Sequence, residues 1–300
     1  MERAPPETAC AARASQSGPM PLDPARLLAA PPRVRTLTWS HRDVLLYHLG
    51  VGAPPSRPHW TLESRLRVLP SFAVVAGGQD VLSALDTPGA ESVDRTQVLH
   101  GTQELILHRP LPAEGSARAR TAVTDVHDKG SAAVLGFRTE AADAEGPLWT
   151  SRRLLFARGA GGFGGARGPA LPRPPRPEGP PAAVHRVPLR EDAALLYRLS
   201  GDMNPLHADP AEAARAGFPR PVLQGLCTYG TALRVLVDTL LDGRPEPVRR
   251  YAARFSGVVF PGETLELTVW RTGEREARAE AVVPDTGRLV LADAVLEWEA

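Results

Sequence analysis

At 300 residues, 43% hydrophobic and 23% charged, the chain has the composition of a globular protein with length for about two domains. Its net charge is +1, from 35 basic against 34 acidic side chains, which excludes a nucleic-acid or anionic-membrane binder that works through bulk charge. The two cysteines, Cys10 and Cys227, exclude a disulfide framework and a cysteine-rich zinc site, and no apolar run reaches the roughly 18 residues of a membrane span.

Residues 1–24 are rich in Ala, Pro, Ser and Gly without periodicity and read as a disordered lead. They hold no apolar core of a secretory signal, and Glu297-Trp298-Glu299-Ala300 is no peroxisomal tripeptide, so a cytoplasmic protein is expected. Residues 25–160 read as a first α+β unit. Its strands are expected at Leu105–His108, Ala117–Val126, Ser131–Glu140 and Leu148–Ala157, with a short central helix at Pro70–Ala76. From Arg158 to Ala183, Gly and Pro are too dense for a helix or central strand, so residues 161–184 are expected to be a stiff, extended linker. In residues 185–300, Glu191–Leu199 has helical spacing, with Gly201 placed as a helix-ending glycine. The clearest helix is Leu226–Leu241, where Leu226, Tyr229, Leu233, Leu236, Val237 and Leu240 share a face. Strand-like segments follow at Tyr251–Phe260, Leu265–Arg271, Ala277–Val283 and Leu289–Trp298, so the class is α+β, a curved antiparallel sheet wrapped on a helix.

The two halves look alike. With an offset of 150, Leu45, Leu46, Tyr47, Leu49 and Pro55 fall on Leu195, Leu196, Tyr197, Leu199 and Pro205. This pattern marks an internal duplication.

Chemistry concentrates between Tyr197 and Gly230. Asp202, Asn204 and His207 lie within six residues, between a helix and a proline-rich loop. An imidazole and a carboxylate at that spacing on irregular backbone can point at one water, the imidazole taking a proton near neutral pH. Gly225 opens the long helix, where a bare backbone N–H and the helix N-terminus suit a developing oxyanion.

The string Tyr197-Arg-Leu-Ser-Gly-Asp-Met-Asn-Pro-Leu-His207, with Ala216-Gly-Phe218, Pro221-Val-Leu-Gln-Gly-Leu-Cys-Thr-Tyr-Gly230 and Val258-Val-Phe-Pro-Gly-Glu263, resembles the type 2 enoyl-CoA hydratases, the MaoC-like proteins. The resemblance extends over residues 35–300 through Asp43–Ala53, Asp128-Lys-Gly130 and the glycine-rich run from Arg158 to Gly165. It implies a double hot-dog fold, two repeats each an antiparallel sheet wrapped round a helix. It also implies reversible, R-specific hydration of a trans-2-enoyl thioester of CoA or a carrier protein. No metal and no cofactor is implied. Asp202 and His207 become the catalytic pair, Asn204 their orienting neighbour, and Gly225 N–H the thioester-oxygen donor. A homodimer is expected by analogy. Gln224 stands where many relatives have histidine, beside Gly225, and is expected to alter carrier contacts without removing the Gly225 donor. At the 150 offset the catalytic positions hold Gly52, Pro54 and Arg57, so the first repeat is expected to lack this chemistry, and its short central helix to leave room for a bulky acyl chain.

Each residue also has a plainer reading. Asp202 alone is an Asx-turn residue, His207 a hydrogen-bonded loop histidine, Gly225 a close-packing glycine. A metal set of Asp202, His207, Asp209 and His185 fits no compact zinc spacing, and Cys227 reads as core rather than nucleophile. Two other functions stay open beside the hydratase: a 3-hydroxyacyl carrier-protein dehydratase in fatty-acid or polyketide synthesis, and a non-catalytic acyl-thioester binding subunit.

Overall fold

The computed structural model describes residues 22–78, 81–170 and 173–300. Most of the expected disordered lead lies outside these residues. Its described end is ordered, for Leu22 is buried and Asp23 caps helix α1 (Pro24–Ala29), accepting from Arg26 N at 3.0 Å.

Among the described residues, ten strands form one antiparallel sheet: β1 (Arg33–Trp39), β2 (Val98–Leu107), β3 (Gly115–Asp128), β4 (Ala132–Asp143), β5 (Gly146–Arg158), β6 (Ala183–Pro188), β7 (Val248–Phe255), β8 (Thr264–Gly273), β9 (Glu276–Val283) and β10 (Arg288–Trp298). The order β1-β3-β4-β5-β2-β7-β10-β9-β8-β6 is a palindrome once each strand of the first half is matched to its counterpart five strands later. The register carries the same symmetry. At the β2–β7 seam Thr102 faces Arg254, and shifting these by plus and minus 150 returns another observed pair, Glu104 opposite Ala252. The pseudo-twofold therefore passes through Gln103 and Ala253. Charge ties the seam, with Arg250 reaching Glu104 at 2.7 Å and Glu297 at 2.6 Å while Arg152 reaches Glu104 at 3.0 Å.

The other helices are α2 (His41–Gly50), α3 (Pro58–Thr61), α4 (Ala193–Tyr197), α5 (Pro210–Arg215) and α6 (Gly225–Leu240). Helix α6 is the axle of the second repeat, buried on every side from Leu226 to Val237. Tyr229 Oη donates to Tyr251 O at 2.9 Å and Tyr251 Oη returns a bond to Tyr229 O at 3.3 Å, fixing α6 to β7. The carbonyls left over at the end of α2 take their donors from α6: Cys227 Sγ to Gly50 O, Thr231 Oγ1 to Val51 O and Arg234 Nε to Val51 O, at 3.3, 3.3 and 3.1 Å.

Among the described residues the first repeat has no such axle. The helix expected at Pro70–Ala76 is a 3-10 segment over Pro70–Val74. It cannot continue because Gly77 and Gly78 adopt φ of 68° and 67°, outside right-handed helix, and a Cβ on Gly77 would stand 2.9 Å from Leu37. The helix expected over Glu191–Leu199 is α4 with a 3-10 turn, Arg198–Ser200.

The Gly/Pro-rich stretch is pinned against the sheet. Asp128 accepts from Gly130, Gly162 and Gly164 N–H at 2.8, 2.9 and 2.8 Å, and Lys129 Nζ donates to Arg167 O. Farther along, Arg176 stacks over Trp270 and pairs with Glu280. Strand β6 begins at Ala183, inside the expected linker.

Candidate active site

The site begins with a forced turn. After Ser200 the chain passes Gly201 at φ 129°, a conformation that excludes a side chain; a Cβ there would lie 2.7 Å from the Gly78 backbone. This turn sends Asp202 away from α4. Asp202 Oδ1 accepts from Asn204 N at 3.3 Å, and Asn204 Oδ1 in turn accepts from Leu206 N at 3.1 Å, starting the 3-10 turn Pro205–His207. The Asx-turn role is therefore real, and it uses only one carboxylate oxygen. The other, Oδ2, faces His207 Nε2 at 3.8 Å, with 14% and 11% of the two side chains exposed. That gap is too long for a direct hydrogen bond and short enough for one small molecule to touch both groups. His207 Nδ1 lies 2.8 Å from Val222 O. A carbonyl only accepts, so Nδ1 carries a proton, and it is Nε2 that is turned toward Asp202.

Both groups line a cavity of about 710 Å³ together with Asn204 and Gly225, within the range of small-molecule sites. Gly225 is the first residue of α6 and is partly exposed, whereas Leu226 to Val237 behind it are buried. Its N–H has no helical acceptor, and the aligned peptides behind it add positive potential. A Cβ on Gly225 would meet the Phe255 ring at 3.2 Å.

The cavity also draws on the first repeat, through Val98, Leu99, His100 and Gly101 of β2 and Leu155 and Phe156 of β5. His100 packs on Phe255, ring centres 4.7 Å apart, and its Nε2 lies 3.1 Å from Thr102 O. Burial, with Arg153 nearby, pushes its pKa down to about 3, so it stays neutral. Sequence reasoning missed His100; its link to the site is the β2–β7 pairing between the halves, which no local motif records. Arg158 and Arg254 also border the cavity, Arg254 held by Asp293 at 2.7 Å.

Residues 173–291 match the MaoC like domain model and residues 37–159 match the MFE-2 hydratase 2 N-terminal domain model. An enoyl-CoA hydratase of Mycobacterium tuberculosis, ChsH3, is 43% identical over 92% of this chain and 98% of its own length. The chain belongs to the MaoC-like type 2 enoyl-CoA hydratase family. A 3-hydroxyacyl-thioester dehydratase of the same bacterium is 41% identical over 87% of this chain and 93% of its own. A solved MaoC-like dehydratase from Phytophthora capsici superposes with a TM-score of 0.83 at 28% identity, covering 92% of this chain and 97% of that one. A Mycobacterium tuberculosis structure described as a double hotdog fold superposes with a TM-score of 0.55 at 18% identity, covering 89% of this chain and 95% of that one. The fold of this family member is thus the double hot-dog.

One expectation about the family site is corrected. Gln224 does not face a carrier: it is buried, and its amide donates to Ala194 O at 3.1 Å, tying α4 to the start of α6. Of the four residues weighed as a metal set, only Asp202 and His207 come together. Asp209 caps α5 through Ala211 N at 2.8 Å, and His185 bonds Thr239 at 2.9 Å beside another cleft. The duplicated counterpart of the cavity, bordered by Leu66, Arg67, Val68, Leu107 and Val248, holds only about 110 Å³.

Proposed function

We propose that the chain is a hydro-lyase that adds water across a trans-2-enoyl thioester, giving the R-3-hydroxyacyl thioester, at one site per chain. The observation that carries this reading is the Asp202–His207 pair, 3.8 Å apart beside the open N-terminus of α6 in an apolar cavity. The hydratase and dehydratase named among its relatives support it.

The chemistry follows from the atoms. Water between Asp202 Oδ2 and His207 Nε2 gives up a proton to the pair as its oxygen bonds the β-carbon. Electron density moves through the conjugated system onto the thioester oxygen, which Gly225 N–H stabilises. The enolate then collapses and its α-carbon takes one proton back from the pair, so water has been added with nothing left over. Because both proton steps use one pair on one face, addition is syn. Asn204 fixes Asp202 through its backbone N–H. Arg158 and Arg254 meet the phosphates of the incoming carrier arm, which CoA and carrier protein share. The opposite direction, dehydration of a 3-hydroxyacyl ester, uses the same groups. A non-catalytic binding subunit is disfavoured because it has no need of an intact acid–base pair. The reading extends to a cytoplasmic homodimer, which light scattering of the purified chain tests for assembly.

The assay is loss of enoyl-thioester ultraviolet absorbance, with short, medium and long acyl-CoAs and one carrier-protein ester in parallel and chiral analysis of the product. R-3-hydroxy product is expected. No turnover of any ester by folded protein refutes the assignment.

A further inference from the structure

The duplicated counterpart of the catalytic loop has a second, different cleft. Gly52, Pro54 and Arg57 stand at the positions of Asp202, Asn204 and His207 and border an open cleft of about 540 Å³ with His185, Arg186 and Arg234. Arg234 reaches it from the middle of α6 with only 8% of its side chain exposed. Two of its nitrogens are committed: Nε donates to Val51 O at 3.1 Å and Nη1 to Asp238 Oδ2 at 3.4 Å. The third, Nη2, lies 3.8 Å from where a Cβ on Gly52 would stand, the point at which the catalytic repeat carries its carboxylate.

The nearby acids are occupied. Asp238 also accepts from Trp60 Nε1 at 3.0 Å and has His59 Nε2 at 3.5 Å, and Glu266 holds Arg186 at 2.9 Å. Arg57 makes no side-chain hydrogen bond or ion pair among the described residues. Where one repeat carries its acid–base pair, the other has Gly52 and Arg57, and Arg234 of α6 brings a second, rigidly held guanidinium with a donor to spare to the same cleft.

We propose that this cleft is an anion site for a phosphate-bearing ligand. Arg57 and the outward edge of Arg234 offer more donors than the two oxygens of a carboxylate can use, whereas a terminal phosphate presents three. The open cleft leaves room for the rest of a larger molecule. The inference rests on the duplication and these contacts, and is independent of the reaction at Asp202 and His207.

Isothermal titration of the full chain with inorganic phosphate, pyrophosphate and adenosine bisphosphate tests it. A binding event is expected whose affinity falls about tenfold or more in Arg57→Ala, the loss of a charge-assisted contact, while any binding at the Arg158 and Arg254 rim is unaffected by that variant. Arg57→Ala is expected to keep the parent's turnover of enoyl thioester, which also shows that it folds. Comparable binding of pyrophosphate and adenosine bisphosphate assigns the ligand to free phosphates, and tighter binding of the adenosine compound assigns it to a nucleotide; both support the site. Absence of saturable heat with all three anions overturns it, as does binding unchanged by Arg57→Ala and lost in Arg158→Ala, which belongs to the rim of the large cavity.

Discussion

Mild acid is expected to weaken the fold through His48. This residue is 1% exposed, its Nδ1 lies 2.9 Å from Trp60 O, and its Nε2 accepts the Leu69 N–H at 3.1 Å. The ring must therefore be neutral, because a second proton would set a donor against a donor. Burial, helped by His59 and Arg234 and opposed by the Trp60 carbonyl, pushes its pKa from 6.5 down to about 4. A folded pKa below the unfolded one means that the unfolded chain binds the proton first. The stabilisation is complete above the unfolded value and is lost as pH falls from there toward the folded value. At about pH 5, some 1.5 units below 6.5, the loss is about 2 kcal/mol at ~1.36 kcal/mol per unit. The variant to compare is His48→Asn, whose amide can still donate to Trp60 O but leaves Leu69 N–H without an acceptor. It is expected to be about 1–3 kcal/mol less stable at neutral pH. Its further loss between about pH 7.5 and pH 5 is expected to be smaller than the parent's by about 2 kcal/mol. Urea unfolding at the two pH values measures both quantities. His100 titrates alike in the two proteins, so the difference isolates His48. Equal pH dependence in parent and variant refutes the reasoning.

Other expectations concern single contacts. Gln224 has φ −58° and ψ 133°, the conformation a following proline requires, and the first position of a helix accepts proline. Gly225→Pro thus deletes the proposed oxyanion donor while keeping α6, and kcat is expected to fall roughly a hundred- to a thousandfold. Gly225→Ala, which crowds Phe255 but keeps the N–H, is expected to lose much less; equal losses would rule out the donor role. Backbone N–H groups of Gly162 and Gly130 hold the Asp128 carboxyl below the usual carboxylate range, so the clamp it forms is present above that range and released as pH drops through its lowered pKa. In Asp128→Asn, hydrogen exchange at Gly162 and Gly164 is expected to accelerate with the core of α6 unchanged, and undiminished protection at both glycines would contradict the clamp.

What could be read from the residues, and what could not, divides along physical lines. Helix α6 was visible because apolar side chains recur at helical spacing over its whole length, and the strands after it because they alternate. Of the helices, α1, α2, α3 and α5 were not anticipated, and of the strands, β1 and β6 were missed. Arg33–Trp39 carries two arginines, and Ala183–Pro188 carries His185, Arg186 and a terminal proline. These are the residues edge strands use, and they erase the apolar signal of a strand. The Asp202-Asn204-His207 segment was legible because the turn that shapes it is local. His100 was not, because only the β2–β7 register brings it beside Phe255. The role of Gln224 was misjudged for a related reason. Its place next to Gly225 suggested exposure to ligand, whereas the packing of α4 turns its amide inward.

Replacing one carboxylate oxygen tests the central claim most directly. Asp202→Asn preserves shape and can still accept from Asn204 N, but it removes the carboxylate charge that faces His207 Nε2. In a single-turnover hydration of a trans-2-enoyl-CoA, the account predicts a rate roughly a hundred- to ten-thousandfold below the parent, with thioester binding and melting temperature retained. A variant that hydrates at the parental rate would contradict it.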